Sequence, residues 1–173
     1  MIQCEMDYNT VSTDGKTVKL LCYGVGTFDV FSGEKSTTNI SECAFKDKAA
    51  LPPGNYWIVD RPTGSFANRV LSAIKDWRNG TDHSTWFGLY DSQTMSDHVF
   101  VNGVDRGGFR IHPLRPDGSG ESWGCITFST VPQFEVLRRA LLTTQKVKLK
   151  SGIMAYGQVV VSGRTDYENC RIK

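Results

Sequence analysis

Along most of this chain, apolar and polar residues alternate in short runs, and a turn signal interrupts them every ten residues or so. That rhythm predicts many short, half-buried strands and few helices. Asp14 and Gly15 form a hairpin-type dipeptide between two extended pieces. Strands are expected over 17–23 and 26–31, with Gly24 and Gly26 marking a break or bulge. Residues 32–48 are polar and read as a long surface loop, with Cys43 as a point of attachment. Leu51, Pro52, Pro53 and Gly54 make a firm turn, because proline fixes φ and glycine accepts positive φ. The turn leads into a strand over 55–59, rich in aromatic and β-branched residues. Further strands are expected over 86–90, 98–101, 108–112, 125–128, 147–149 and 153–161.

Two segments carry helical spacing instead. In the first, Val70, Leu71, Ile74 and Trp77 recur on one face, with Ser65 as N-cap and Gly80 as stop. In the second, Phe134, Leu137, Ala140 and Leu141 share a face. Thr130 and Gln133 resemble a capping box there, and Pro132 suits the first turn. The chain has no internal repeat, low-complexity tract or linker. The expected fold class is mostly β with two short helices, as one domain over residues 1–173.

Length and composition fit a single globular domain. A chain of 173 residues with 39% hydrophobic and 22% charged content buries a full core and is not disordered. A net charge of +2 is too small for the dense basic face of a nucleic-acid binder, so no nucleic-acid partner is expected. The first eight residues lack the basic and apolar regions of a secretory signal. No apolar run approaches the ~18 residues that span a bilayer. The expectation is synthesis in the cytoplasm and, where the protein leaves the cell, export by a route that ignores signal peptides.

The five cysteines are Cys4, Cys22, Cys43, Cys125 and Cys170, and none forms a C-x-x-C pair. A structural zinc site is therefore not expected. An odd count suits one functional thiol, Cys125, plus four others. Those four make two disulfides in an oxidising compartment, with about three connectivities open, or remain small apolar residues in a reducing one.

The richest chemistry lies in Phe109, Arg110, Ile111, His112 and Pro113, followed by Ser122, Trp123, Gly124, Cys125, Ile126, Thr127 and Phe128. His112 ends one expected strand and Cys125 begins the next, with a Gly- and Pro-rich loop between. Strands that are neighbours bring imidazole and thiol together, the arrangement a cysteine nucleophile and its base require. Gly124 lets the backbone bend just before the thiol. The N–H groups of Gly124 and Cys125 are candidates for an oxyanion hole. The alternative is a half-buried cysteine beside a structural histidine.

A histidine, a loop and then Ser122, Gly124 and Cys125, in that order, resemble the active-site signature of YkuD-type L,D-transpeptidases. The set is more similar to a divergent branch, the Tlde1-type effectors of bacterial type VI secretion systems. Gly24 to Phe28, Phe31 to Gly33, Leu51 to Tyr56, Trp86 to Tyr90 and Phe109 to Pro113 follow in that branch's order. The resemblance covers roughly residues 18–130 and implies a single-domain YkuD-like fold without cofactor or metal. It implies Cys125 as nucleophile, His112 as general base and Ser122 as the residue that shapes the loop or orients the imidazole. It implies peptidoglycan stem peptides as substrate and D-amino acids as acceptors. Secretion machinery that delivers the protein into a rival's periplasm, and a cognate immunity protein, complete the implied partners.

Two positions depart from the housekeeping pattern. Trp123 replaces its usual histidine, and Thr127 stands where an arginine is usual. Arg110 is the candidate to pair with a substrate carboxylate, or else a structural arginine. Trp123 is either a wall against the stem peptide or a cap on the core. His83 and His98 read as surface histidines. Asp91 and Asp97 are candidates to orient His112, and Trp57, Trp77 and Trp86 read as core aromatics. Rival readings are a catalytically silent cell-wall-binding module on the same scaffold and a papain-like or NlpC/P60-like hydrolase. The latter usually places cysteine before histidine in the chain.

Overall fold

In the computed structural model, residues 1–62, 85–115, 118 and 120–172 are described. Eleven strands occur among them: β1 Ile2–Asp7, β2 Val18–Cys22, β3 Gly26–Phe31, β4 Gly54–Asp60, β5 Phe87–Asp91, β6 His98–Val101, β7 Val104–Gly107, β8 Arg110–Pro113, β9 Ile126–Phe128, β10 Val147–Lys148 and β11 Met154–Ser162. One α-helix, α1 Val131–Thr143, follows β9.

Eight strands close into a barrel in the order β1-β2-β3-β9-β8-β5-β4-β11, and β11 returns to β1. The β1–β11 and β8–β9 pairings are parallel and the others antiparallel. β10 adds two residues to β11, and β6 and β7 form a separate hairpin. Period-two alternation then sends one residue set inward around the whole barrel. Met6, Leu20, Phe28, Val30, Phe128, Ile126, Ile111, Leu89, Ile58 and Val159 belong to that buried core. Phe134, Leu137 and Leu141 of α1 join it.

This architecture corrects the expected fold class. Mostly β is right, but a closed eight-stranded mixed barrel with one described helix is not a YkuD-like two-helix fold. The other expected helix, with Ser65, Trp77 and Gly80, lies outside the described residues. Closure depends on β1 meeting β11 from the far end of the chain, and periodicity names no partner for a strand. Gly157 makes the seam close, since a Cβ there would run into the Ile2 carbonyl. The capping box also resolves differently. Thr130 is the N-cap without a side-chain hydrogen bond, while Gln133 Oε1 accepts from the Asp29 N–H at 3.3 Å.

The segment after β3 is buried rather than a free surface loop: Cys43, Ala44, Ala49 and Ala50 are inaccessible. Disulfides Cys4–Cys22 and Cys43–Cys170 choose one of the possible connectivities and leave Cys125 as the free thiol. The first joins registered neighbours of β1 and β2, and the second ties this segment to the C-terminal end. Closing a loop with a separation of 127 residues removes much chain entropy from the unfolded state. Cys43→Ser with Cys170→Ser is expected to cost about 2–5 kcal/mol, read as a lower urea midpoint under non-reducing conditions. No helix among the described residues is long and apolar enough to cross a membrane.

Candidate active site

β8 and β9 are neighbours, as the chemistry requires, but they run parallel: Ile111 faces Ile126 and His112 faces Thr127. His112 and Thr127 share the side of the sheet opposite the core residues Ile111 and Ile126. Cys125, two residues before Thr127, falls on that same side, diagonal to His112 and level with Arg110. A diagonal spacing of roughly 7–8 Å is within reach of an aromatic side chain.

The imidazole is fixed from three directions. Its Nδ1 lies 3.0 Å from the Pro113 carbonyl oxygen, its Nε2 lies 3.3 Å from Thr127 Oγ1, and its face stacks on Trp86 with ring centroids 4.2 Å apart. A proton on Nδ1, donated to the carbonyl, leaves Nε2 as the basic nitrogen over β9. A backbone carbonyl therefore orients His112. Asp91 instead accepts from the Gln93 and Thr94 N–H groups, and Asp97 pairs with Arg110.

The turn that delivers Cys125 is built by Ser122 and Gly124. The Ser122 hydroxyl accepts from the Gly33 N–H at 3.3 Å and donates to the Cys125 carbonyl at 2.9 Å, binding the turn to the end of β3. It shapes the loop. Gly124 has φ +82°, and a Cβ there would lie 2.8 Å from Arg106 Nη2 and 3.0 Å from the Phe109 ring. Arg106 donates to the carbonyls of Ala44 and Ala49, so this guanidinium pins the buried segment beside the turn.

Burial is the largest influence on the Cys125 thiol and pushes it above its ordinary range. Arg110, the main-chain N–H groups of Arg110 and Trp123, and Arg106 pull it back. Burial thus favours the neutral thiol over the thiolate, and a thiol in such surroundings reacts only when a neighbouring base takes its proton.

The remaining expected site residues divide. Arg110 is 2% exposed, and its Nη1 meets Asp97 Oδ2 at 2.9 Å, so its charge is engaged by a carboxylate of the protein itself. Trp123 is half-buried at the rim, with Nε1 donating to Glu121 at 3.2 Å and Lys48 Nζ 4.4 Å over its ring. His98 Nδ1 lies 2.8 Å from Asp105, and His83 and Trp77 lie outside the described residues. Among the described residues no three His, Cys, Asp or Glu side chains gather as metal ligands. Sequence reasoning missed Trp86 as the wall of the imidazole, Thr127 as its contact and Arg106 as the brace. Trp86 and Thr127 lay in motifs that drew notice, though for other roles, and Arg106 did not.

No curated protein matches the chain at a significant level. The family model of the Tlde1 domain matches residues 26–152, which hold His112, Cys125 and every contact of the imidazole just described. The resemblance to Tlde1-type effectors is thereby borne out, and the chain belongs to the Tlde1 domain family of type VI secretion effectors.

Proposed function

We propose that this protein is a cysteine-dependent L,D-carboxypeptidase and L,D-transpeptidase acting on tetrapeptide stems of peptidoglycan. The observation that carries the reading is the free Cys125 thiol, diagonal in register to His112, whose Nδ1 faces a carbonyl. His112 takes the Cys125 proton as the sulfur attacks the carbonyl of the L-centre of meso-diaminopimelate. A C–S bond forms, and the N–H groups of Gly124 and Cys125 receive the oxyanion. The C–N bond to the terminal D-alanine then breaks, and the imidazolium gives its proton to the departing amine. Water resolves the thioester to a tripeptide, or a D-amino acid resolves it to an exchanged stem. In either case the acyl group leaves sulfur and His112 takes the proton of the attacking group.

Trp123, with Lys48 over its ring, is the candidate wall against the stem. As an effector of this class the protein is secreted into a rival's periplasm, and a cognate immunity protein protects the producer. An oxidising destination suits a chain with two disulfides.

The test is mass spectrometry of purified tetrapeptide muropeptides, with and without D-methionine. Loss of D-alanine, or its replacement by D-methionine, is expected. Unchanged muropeptides would overturn the reading and leave a cell-wall-binding module on this barrel.

A further inference from the structure

Arg110 and Asp97 form a buried ion pair beside the thiol that proton transfer through His112 does not use. The β8–β9 register sets Arg110 level with Cys125 on the side of the sheet that carries His112 and Thr127. Arg110 Nη1 donates to Asp97 Oδ2 at 2.9 Å and to the Phe109 carbonyl at 2.6 Å. Its Nε is buried without a hydrogen-bond partner. Asp97 stands just before β6, where its carbonyl accepts from the Gly108 N–H at 3.0 Å. The hairpin thus brings one carboxylate to the guanidinium beside the nucleophile.

We propose that Arg110 and Asp97 are a pair of positioning residues for Cys125, the guanidinium setting the field at the sulfur and the carboxylate fixing and partly offsetting that charge. The proposal rests on the cysteine-nucleophile reading and adds two residues to it. The charged and titratable groups around the thiol are Arg110 and His112 on β8, Arg106 on β7 and Asp97 behind Arg110, and the pair is itself faced by His98, whose Nε2 lies 4.0 Å from Asp97 Oδ1, by Arg61 and by Tyr90. A cation next to a thiol favours the thiolate, and an anion behind that cation weakens the effect.

The test is the pH dependence of Cys125 alkylation by iodoacetamide in the full chain under non-reducing conditions, where the other four cysteines are paired. Arg110→Met removes the cation and leaves the anion, so the alkylation midpoint moves up by about one to three pH units. Asp97→Asn keeps an acceptor oxygen for Nη1 but removes the opposing charge, so the midpoint moves down. Arg110→Lys keeps the charge and falls near wild type. A merely structural pair changes melting temperature and leaves the midpoints in place. An unmoved or raised midpoint in Asp97→Asn overturns the proposal, and that variant decides it even where Arg110→Met does not fold. Alkylation requires no turnover, so a protein with the expected shifts and no activity on muropeptides separates this proposal from the proposed reaction.

Discussion

Cys125→Ala and His112→Ala are each expected to lower D-alanine release by at least about 10³-fold, and the double variant to be no slower than the worse single one. In the proposed reaction the two side chains form one proton-transfer unit: without sulfur there is no acyl acceptor, and without imidazole the buried thiol stays neutral. The rise in the thiol's affinity for its proton makes the second loss severe, because burial opposes the thiolate before any base acts. Both variants are expected to keep the fold, since neither position belongs to the inward face of the barrel. His112→Ala leaves Trp86 without its stacking partner, a gap at the site rather than in the core. Kinetics on tetrapeptide muropeptides beside circular dichroism check this. Activity losses that multiply in the double variant would mean that the two residues act independently.

Gly124→Ala is the second large effect, and it arises without touching the reacting groups. At φ +82° an alanine is strained, and its Cβ would meet Arg106 Nη2 and the Phe109 ring at 2.8 and 3.0 Å. Neither neighbour yields easily. Arg106 is held by the carbonyls of Ala44 and Ala49, and Phe109 packs edge-on against Tyr56. Left-handed strain and overpacking together are expected to cost about 2–5 kcal/mol. The turn also moves off the geometry that Ser122 fixes, so activity falls further than stability explains. A denaturant titration checks the first part, and kcat of the folded fraction the second. An active enzyme of wild-type stability would contradict this packing.

The strands were legible where their faces alternate. β2, β3, β4 and β11 carry apolar residues at every second position, and the structure keeps them within a residue or two of their expected bounds. β1 was foreseen only as an extended piece without bounds before the Asp14–Gly15 turn, because its inward residues Cys4 and Met6, set among Gln3, Glu5 and Asp7, are a weak signal beside Leu20 or Val30. β7 was hidden for the same reason, reading Val104, Asp105, Arg106, Gly107. β1 closes the barrel by pairing with β11, and a piece without bounds or a named partner left that closure unforeseen. The helix over Val131–Thr143 was legible from Phe134, Leu137 and Leu141.

His112 and Cys125 were legible as a pair because chemistry restricts which residues sit together at such a turn. What surrounds them was not. That Thr127 faces the imidazole follows from a parallel register, and the sequence alone suits an antiparallel hairpin as well. The partnership of Arg110 with Asp97 depends on where the β6–β7 hairpin folds back, and no local spacing encodes that. Arg106, a single cation in a turn-rich stretch, carries no periodic signal at all, yet it braces both the buried segment and Gly124.

The most direct test of the central claim is the intact mass of the protein quenched in acid during turnover of a tetrapeptide muropeptide. The account predicts a species heavier by the tripeptide acyl group, mapped to Cys125, discharged by hydroxylamine and absent from Cys125→Ala. Release of D-alanine with no such species, or release that persists in Cys125→Ala, would contradict it.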